Sequence, residues 1–247
     1  MIPTAIILAA GVGRRFGDAS KGKPKALLEV GEETLLGRLI RQLRAAGLSR
    51  IVVVGGFGIE YIRAAVDTDV EVLLNPDFKR GAILSLYTAR DYLRGSALVM
   101  DADVYGPDEM IARLVASPQE SCFLLDGRAE ASGEEQMLHA RGARIWDIAR
   151  NPRGEYDLLG ESVGFLKVGS QAAITLLELL EERVERGEVD LEHEEVYPDF
   201  LARVPVGFER VDDLDWTEVD FPEDLARARE IFASGEGAVE TSSGEKL

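Results

Sequence analysis

Short apolar runs alternate with segments of helical period along the first half of the chain. Ile6 to Ala10 reads as a buried strand, and Thr34 to Ala46 places Leu35, Leu36, Leu39, Ile40 and Leu43 at helical spacing before Gly47 closes it. Ile51-Val52-Val53-Val54 predicts a second buried strand, ended by Gly55-Gly56. Ile59 to Val66 follows as a short helix, then Val70 to Leu74 as a third strand stopped by Asn75-Pro76. Ile83 to Leu93 is helical in period, and Ala97 to Met100 makes a fourth strand that runs into Asp101. This order predicts an α/β fold: a Rossmann-like, mostly parallel sheet with helices on both faces. Sites in such sheets lie beyond the carboxyl ends of the strands, where the first glycine loop, Asn75 and Asp101-Ala102-Asp103 all fall.

The second half is less regular. Gln136 to Ala140 and Arg144 to Ala149 predict a hairpin, Cys122-Phe123-Leu124-Leu125 a buried strand, and Ser162 to Val168 another. Gln171 to Arg186 predicts a helix with Ile174, Leu177, Leu180 and Val184 on one face. Further helices are expected over Glu194 to Arg203 and Phe221 to Phe232, the last with Pro222 in its first turn. The expected organisation is one domain over 1–233, with a nucleotide-binding part to about 116 and a small hairpin and helical acceptor-binding part over 117–233. The Gly-, Ser- and Glu-rich stretch 234–247 reads as a disordered tail.

Composition narrows the class. A chain of 247 residues can bury a sizeable core. Cys122 is its one cysteine, which excludes an internal disulfide and suits a reducing cytoplasm. No apolar run approaches the roughly 20 residues of a membrane helix, so no stable membrane insertion is expected, and the start lacks the pattern of a signal peptide. A formal net charge of -17 disfavours nucleic acid as a partner.

Against that charge, cations gather at one place. Gly11-Val12-Gly13-Arg14-Arg15-Phe16-Gly17, then Lys23-Pro24-Lys25, couples a close-approach loop to positive charge and suggests an anionic ligand. The loop alone fits a dinucleotide fingerprint, a triphosphate cradle or a plain turn. No acidic residue ends the second strand to bind a ribose, and no Gly-Lys-Ser/Thr follows, so neither the nicotinamide nor the Walker pattern is complete. Asp101 and Asp103 suit a hard divalent cation, although Asp103 is also placed to cap a helix near Pro107. Asp220, just before the last helix, is equally a metal ligand or an N-cap. His139 and His193 have no partner at metal-ligand spacing and read as structural or exposed.

Taken in order, these residues resemble the nucleotidyltransferases that make sugar nucleotides and related activated alcohols. The resemblance runs from Leu8-Ala9-Ala10-Gly11-x-Gly-x-Arg and Pro24-Lys25-Ala26-Leu27 through Asn75-Pro76-x-Phe78, Ser85-Leu86 and Asp101-Ala102-Asp103. It continues through Gly160-Glu161-x-x-Gly164 to Trp216-x-Glu218-Val219-Asp220. Asp-Ala-Asp and the Trp-x-Glu-Val-Asp ending are most similar to phosphocholine cytidylyltransferases and their phosphonate- or inositol-phosphate-using relatives. The resemblance implies a glycosyltransferase-A-type sheet and a magnesium-dependent transfer of CMP from CTP to a small phosphorylated alcohol, with release of pyrophosphate.

It further implies that the backbone of Leu8, Ala9, Ala10, Gly11, Val12 and Gly13 holds the nucleotide, with Arg15, Asn75, Ser85 and Asp101 beside it. Arg14 would grip the departing pyrophosphate and Lys25 would bind the α-phosphate and the acceptor phosphate. Asp103 and Asp220, with Asp101, would hold Mg2+. Arg150 stands where relatives often carry a lysine, and Glu161 would face the acceptor. Relatives often have an asparagine where this chain has Gly81-Ala82-Ile83, which leaves Lys79 and Arg80 as nearby sources of charge. Trp146, Tyr156, Tyr197 and Trp216 are candidates for a quaternary-ammonium cage. Other readings are a sugar-1-phosphate nucleotidyltransferase using UTP, dTTP or GTP, and a non-catalytic nucleotide sensor. A glycosyltransferase of the same sheet type is disfavoured by the Gly-x-Gly-x-Arg and Pro-Lys pair.

Overall fold

The structure, a computed structural model, describes residues 3–13, 15–16, 22–129, 133, 135–151 and 153–242, with side chains as far as 234. The first strand, β1 (Thr4–Ala9), is buried along its whole length. It is followed by a 3-10 turn over Lys25–Leu27, the two-residue strands β2 (Glu29–Val30) and β3 (Glu33–Thr34), and helix α1 (Leu35–Ala45). Thr34 caps α1 by accepting a hydrogen bond from the Gly37 amide. Then come β4 (Ile51–Gly55), α2 (Ile59–Ala65), β5 (Glu71–Leu74), α3 (Ile83–Thr88), β6 (Ala97–Asp101), β7 (Val104–Tyr105), α4 (Asp108–Ala116) and β8 (Cys122–Asp126). The hairpin β9 (Met137–Arg141) and β10 (Arg144–Ala149) precedes the long β11 (Leu158–Val168) and helix α5 (Ser170–Glu185). A 3-10 turn over His193–Val196 leads into α6 (Tyr197–Arg203), β12 (Gly207–Arg210), β13 (Thr217–Glu218) and α7 (Pro222–Ser242).

A nine-stranded sheet runs in the order β10-β9-β11-β6-β1-β4-β5, with β8 on β11 and β12 on β8. Pairing is parallel from β6 through β1 and β4 to β5, as the alternating pattern predicts. Beyond β6 it turns antiparallel: β11 pairs with β6 through Phe165–Val168, with β9 through Leu158–Glu161, and with β8 on either side of an irregularity between Ser162 and Leu166. Strand alternation sends Ile6 and Leu8 to one face, where they meet α3, α5 and α6 residues such as Leu86, Leu176 and Phe200. Ala5, Ile7 and Ala9 go to the other, against Leu36, Leu39 and Leu43 of α1 and Ile111 and Leu114 of α4. A third, smaller cluster ties Phe16 to Leu35, Tyr105, Val219 and Leu225, fastening the end of the glycine loop to α7.

Three local expectations change. The helix predicted over 83–93 breaks after Thr88 and continues as a 3-10 segment, Arg90–Arg94. In α5 the buried stripe comprises Ala172, Ala173, Leu176, Leu177, Leu179 and Leu180, leaving Ile174 exposed. Two neighbours, the 90–94 segment and α6, widen the buried side beyond a single periodic row. Finally, α7 continues to Ser242, past the point where composition places the start of the tail; residues 243–247 lie outside the described residues.

Candidate functional site

A cavity of about 970 Å³ opens at the carboxyl ends of β1 and β6. Leu8, Ala9, Ala10, Gly11 and Gly13 form one wall. Gly13 has φ +60°, and a Cβ there would stand 3.1 Å from Lys25 Cβ, so glycine lets the loop turn back directly beside Lys25. Lys25 is presented at the start of its 3-10 turn by Pro24.

The far wall carries the carboxylates. Asp101 ends β6 and Asp103 follows it. Asp220 comes from the other end of the chain because β13 pairs antiparallel with β7, Glu218 opposite Val104, and the Val219 amide donates to the Asp103 carbonyl at 2.9 Å. Lys25 Nζ then lies 2.5 Å from Asp103 Oδ2 and 2.6 Å from Asp220 Oδ1. Burial works to lower the Lys25 pKa, but the two aspartates override it and hold the ammonium charged well above its ordinary range. Arg15 reaches the other Asp220 oxygen at 2.7 Å and covers the Phe221 ring.

Neither candidate aspartate serves as a helix cap. The α4 N-cap is Pro107, with no side-chain cap bond, and Asp103 turns to Lys25 instead. At α7 it is Asp224 that accepts from the Asp220 and Phe221 amides, at 3.0 and 2.7 Å. That backward cap relieves Asp220 of the task and leaves its carboxylate facing the cavity.

The carboxylates of Asp103, Glu218 and Asp220 offer oxygen atoms within 4.8 Å of one another. Asp103 Oδ1 is buried and lacks a hydrogen-bond partner. An all-oxygen set with an unsatisfied buried oxygen fits a hard divalent cation such as magnesium. Glu218 keeps contact with solvent, yet the protein packed around it, then repulsion from Asp103 and Asp220, lifts its pKa to about 8. Glu218 was not among the residues expected here. The signal was present, because Glu218 and Asp220 are two apart in an extended segment and so share a face.

A second group gathers deeper in the same cavity. His193 Nε2 stands 3.8 Å from Asp101 Oδ2, and His193 Nδ1 stands 3.1 Å from Glu194 Oε2. Burial, then repulsion from Glu194 and Asp103, raises the Asp101 pKa well above the usual carboxylate range. Gly164, at φ +79°, passes so close that a Cβ would meet Asp101 Oδ2 at 2.6 Å. His193 is delivered by a backbone clamp in which the Gly81 amide donates to Val189 O and the Ile83 amide to Leu191 O. Sequence spacing gives no sign of this, since the partners lie more than ninety residues apart. The expectation that His193 is merely structural is therefore corrected: it is buried, but it lines the cavity. His139 stays apart, packed against Tyr156.

The remaining candidates separate. Ser85, Arg150 and Glu161 line the cavity. Burial, then the nearby Glu135 and Asp126, raises the Glu161 pKa to about 7. Asn75 is buried outside it, donating to Ser85 Oγ at 3.0 Å and accepting from the Asp77 amide at 2.9 Å, so it shapes the loop that holds Ser85. Val12 does not line the cavity, and Arg14 lies outside the described residues. Arg15, the arginine that completes Gly11-x-Gly13-x-Arg, is the one that reaches the site.

Arg80 pairs with Asp190 on the surface and Lys79 sits over Phe78, so neither replaces the missing asparagine. The ammonium cage does not assemble. Trp146 is half exposed on the outer hairpin beside Arg141 and Arg144, and Tyr156 stacks on His139. Tyr197 is buried behind His193, which leaves Trp216 as the one member on the cavity wall, its indole N–H donated to Asp126 at 2.8 Å. Edge-strand placement of Trp146 and core packing of Tyr197 took precedence over their shared chemistry.

Residues 5–160 match the MobA-like NTP transferase domain family. Over 239 residues the chain is 30% identical to the bifunctional IPC transferase and DIPP synthase of Thermococcus kodakarensis, a match covering 94% of this chain and 51% of that protein. The chain thus spans about half the length of such bifunctional relatives. Among solved structures, the CTP:phosphocholine cytidylyltransferase of Streptococcus pneumoniae superposes with a TM-score of 0.77 at 22% identity, over 94% of this chain and 100% of that one. The inositol-1-phosphate CTP transferase of T. maritima gives 0.74 at 17%, over 93% and 96%. At these identities the structural likeness establishes the fold. Among the described residues no helix is long and apolar enough to cross a membrane.

Proposed function

The chain belongs to the MobA-like NTP transferase family, and we propose that it transfers CMP from CTP to a small phosphorylated alcohol, releasing pyrophosphate. The observation that carries this reading is Lys25 held between Asp103 and Asp220 beneath the glycine loop. Resemblance to proteins named for IPC transfer and for CTP-dependent transfer to phosphocholine and inositol 1-phosphate supports the choice of nucleotide and of acceptor class.

The acceptor is a phosphomonoester whose second pKa is about 6, so its attacking oxygen is already anionic at neutral pH. One bond forms between that oxygen and the α-phosphorus as the bond from the α-phosphorus to the leaving pyrophosphate breaks. No proton needs removing, which fits a centre built from carboxylates and cations. The chain's task is to hold two anions in line and to neutralise growing charge. Gly11 and Gly13 let the backbone approach the phosphates, Lys25 supplies a buried positive charge to the α-phosphate and the acceptor phosphate, and Arg15 stands toward the pyrophosphate side. Asp103 and Asp220, with Glu218 beside them, would hold Mg2+, which would supply positive charge against the charge that develops on the phosphates.

The test is pyrophosphate release from purified protein with each nucleoside triphosphate, magnesium and a panel of phosphorylated alcohols. CTP with one acceptor class is the expected productive pair, abolished by EDTA. Turnover with UTP, dTTP or GTP and a sugar 1-phosphate instead would overturn the cytidylyl assignment, and no turnover with any pair would overturn the enzyme reading.

A further inference from the structure

We infer that Arg38 and Gln42 of α1 are positioning residues for the cation-holding carboxylates: they brace the β7–β13 strand pair around which Asp103, Glu218 and Asp220 gather. The inference rests on the proposed role of those three side chains as metal ligands and adds what keeps them together.

The buried side of α1 is built from Leu35, Leu36, Leu39, Ile40 and Leu43, with one polar exception, Gln42. Gln42 is only 6% exposed, and a buried amide is costly unless it is bonded. Its Nε2 donates to Gly106 O at 2.9 Å and to Asp108 Oδ1 at 3.0 Å. Arg38, one turn earlier, donates to the same Gly106 carbonyl from Nε and Nη2, both at 3.2 Å, and lies over the Tyr105 ring at 4.6 Å. Three N–H donors from one helix thus converge on a single backbone oxygen. Arg41 extends the contact by pairing with Asp108 at 3.0 Å.

The place of that oxygen gives the convergence its meaning. Gly106 directly follows β7, and a Cβ on it would stand 2.2 Å from Met110 Sδ and 3.1 Å from Trp216 Cβ. Trp216 directly precedes β13. One end of the strand pair is therefore pinned between α1, α4 and Trp216, while the Val219 amide closes the other end on the Asp103 carbonyl.

The pair needs support from outside. Each strand has two residues, Thr217 opposite Tyr105 and Glu218 opposite Val104. Around this short ladder three carboxylates offer oxygens within 4.8 Å of one another. Like charges at that range repel, and so short a ladder has few bonds to oppose them. Lys25 and Arg15 offset part of the repulsion, but they are also the groups that incoming phosphates attract. The bonds from Arg38 and Gln42 end on Gly106 and Asp108, so their effect on the three carboxylates passes through the backbone.

The experiment measures Mn2+ binding without nucleotide, by electron paramagnetic resonance, in wild type, Gln42→Leu and Arg38→Met. Leucine suits a buried helical position, so Gln42→Leu removes the bonds and keeps an apolar packing surface. Each variant is expected to weaken Mn2+ binding by about tenfold and to lower kcat for pyrophosphate release by a similar factor. The sign in Arg38→Met is diagnostic. Loss of a nearby cation would by its field tighten Mn2+ binding, so weaker binding reports lost geometry. Thr34→Ala, which removes the α1 N-cap without touching Gly106, supplies the comparison. It should lower the melting temperature yet leave Mn2+ affinity within about twofold. Gln42→Leu decides alone if Arg38→Met fails to fold, and Gln42→Met replaces it if leucine is not accommodated. Unchanged or tighter Mn2+ binding in the folded Gln42 variant, or an equal loss in Thr34→Ala, would overturn the inference while leaving cytidylyl transfer intact. Weakened Mn2+ binding in a protein that releases no pyrophosphate with any pair would overturn the transfer reading and leave the brace standing. A wild type that binds no Mn2+ would overturn the brace together with the metal assignment.

Discussion

Lys25 Nζ lies 2.5 Å from Asp103 Oδ2, while the other oxygen of that carboxylate is buried without a hydrogen-bond partner. One carboxylate thus carries an ion pair on one side and an open ligand position on the other. A metal entering there competes with the ammonium for the same negative charge, and nucleotide phosphates offer that ammonium a new anion. Lys25→Met should therefore bind Mn2+ without nucleotide about tenfold more tightly than the wild type, read by electron paramagnetic resonance. The same variant should lose about 100-fold or more in kcat, or roughly 3 kcal/mol of barrier. Unchanged metal affinity together with unchanged kcat would remove Lys25 from the centre.

Asp224 holds the turn that presents Asp220 through bonds to two successive amides. Asp224→Ala should cost about 1 kcal/mol of stability through the lost cap. It should also lower kcat by about tenfold, because Asp220 is no longer fixed. Chemical denaturation and steady-state kinetics on one preparation check both effects. A stability loss with full activity would make the cap structural only.

Gly164 is the residue that admits the Asp101 side chain. Alanine there meets both a left-handed backbone at φ +79° and the Asp101 carboxylate at 2.6 Å. Gly164→Ala should destabilise the fold by about 1–3 kcal/mol and lower activity by displacing Asp101 in the cavity. A destabilised but fully active variant, by thermal unfolding and steady-state kinetics, would show that Asp101 does not shape the site.

The raised pKa of Glu161 predicts a pH dependence with a definite sign. Its folded value, about 7, lies above the ordinary 4.5. Between these values the native state binds more protons than the unfolded one, so its contribution to stability is complete below 4.5 and is lost as pH rises through 7. Glu161→Gln removes that loss. The variant should gain in melting temperature relative to wild type on going from pH 4.5 to pH 8, measured by scanning calorimetry in matched ionic strength. A constant difference across that range would show that Glu161 titrates as an ordinary exposed carboxylate.

The parallel half of the sheet was legible because buried strands and amphipathic helices have different periods, and because Gly47, Gly55 and Asn75-Pro76 punctuate them. Lys25 and Asp103 stood out for a similar reason: cations around a glycine loop and carboxylates at a strand end keep their chemistry in any compatible fold. Trp146 and Tyr197 misled because aromatic residues look alike in a sequence. One sits on an edge strand beside two arginines and the other in the core behind His193.

The sequence by itself determined the strand–helix alternation, the glycine loop and the types of residue at the strand ends, since these follow from local period and backbone permissiveness. Tertiary structure alone decided which distant groups meet. Asp220 reaches Lys25 across 195 positions through the β7–β13 pairing, and His193 reaches Asp101 through the Gly81–Leu191 clamp. Both encounters depend on packing between segments with no periodic relation to each other. Local pattern carries no distance information across such separations, and only the assembled sheet and its covering turns bring these groups together.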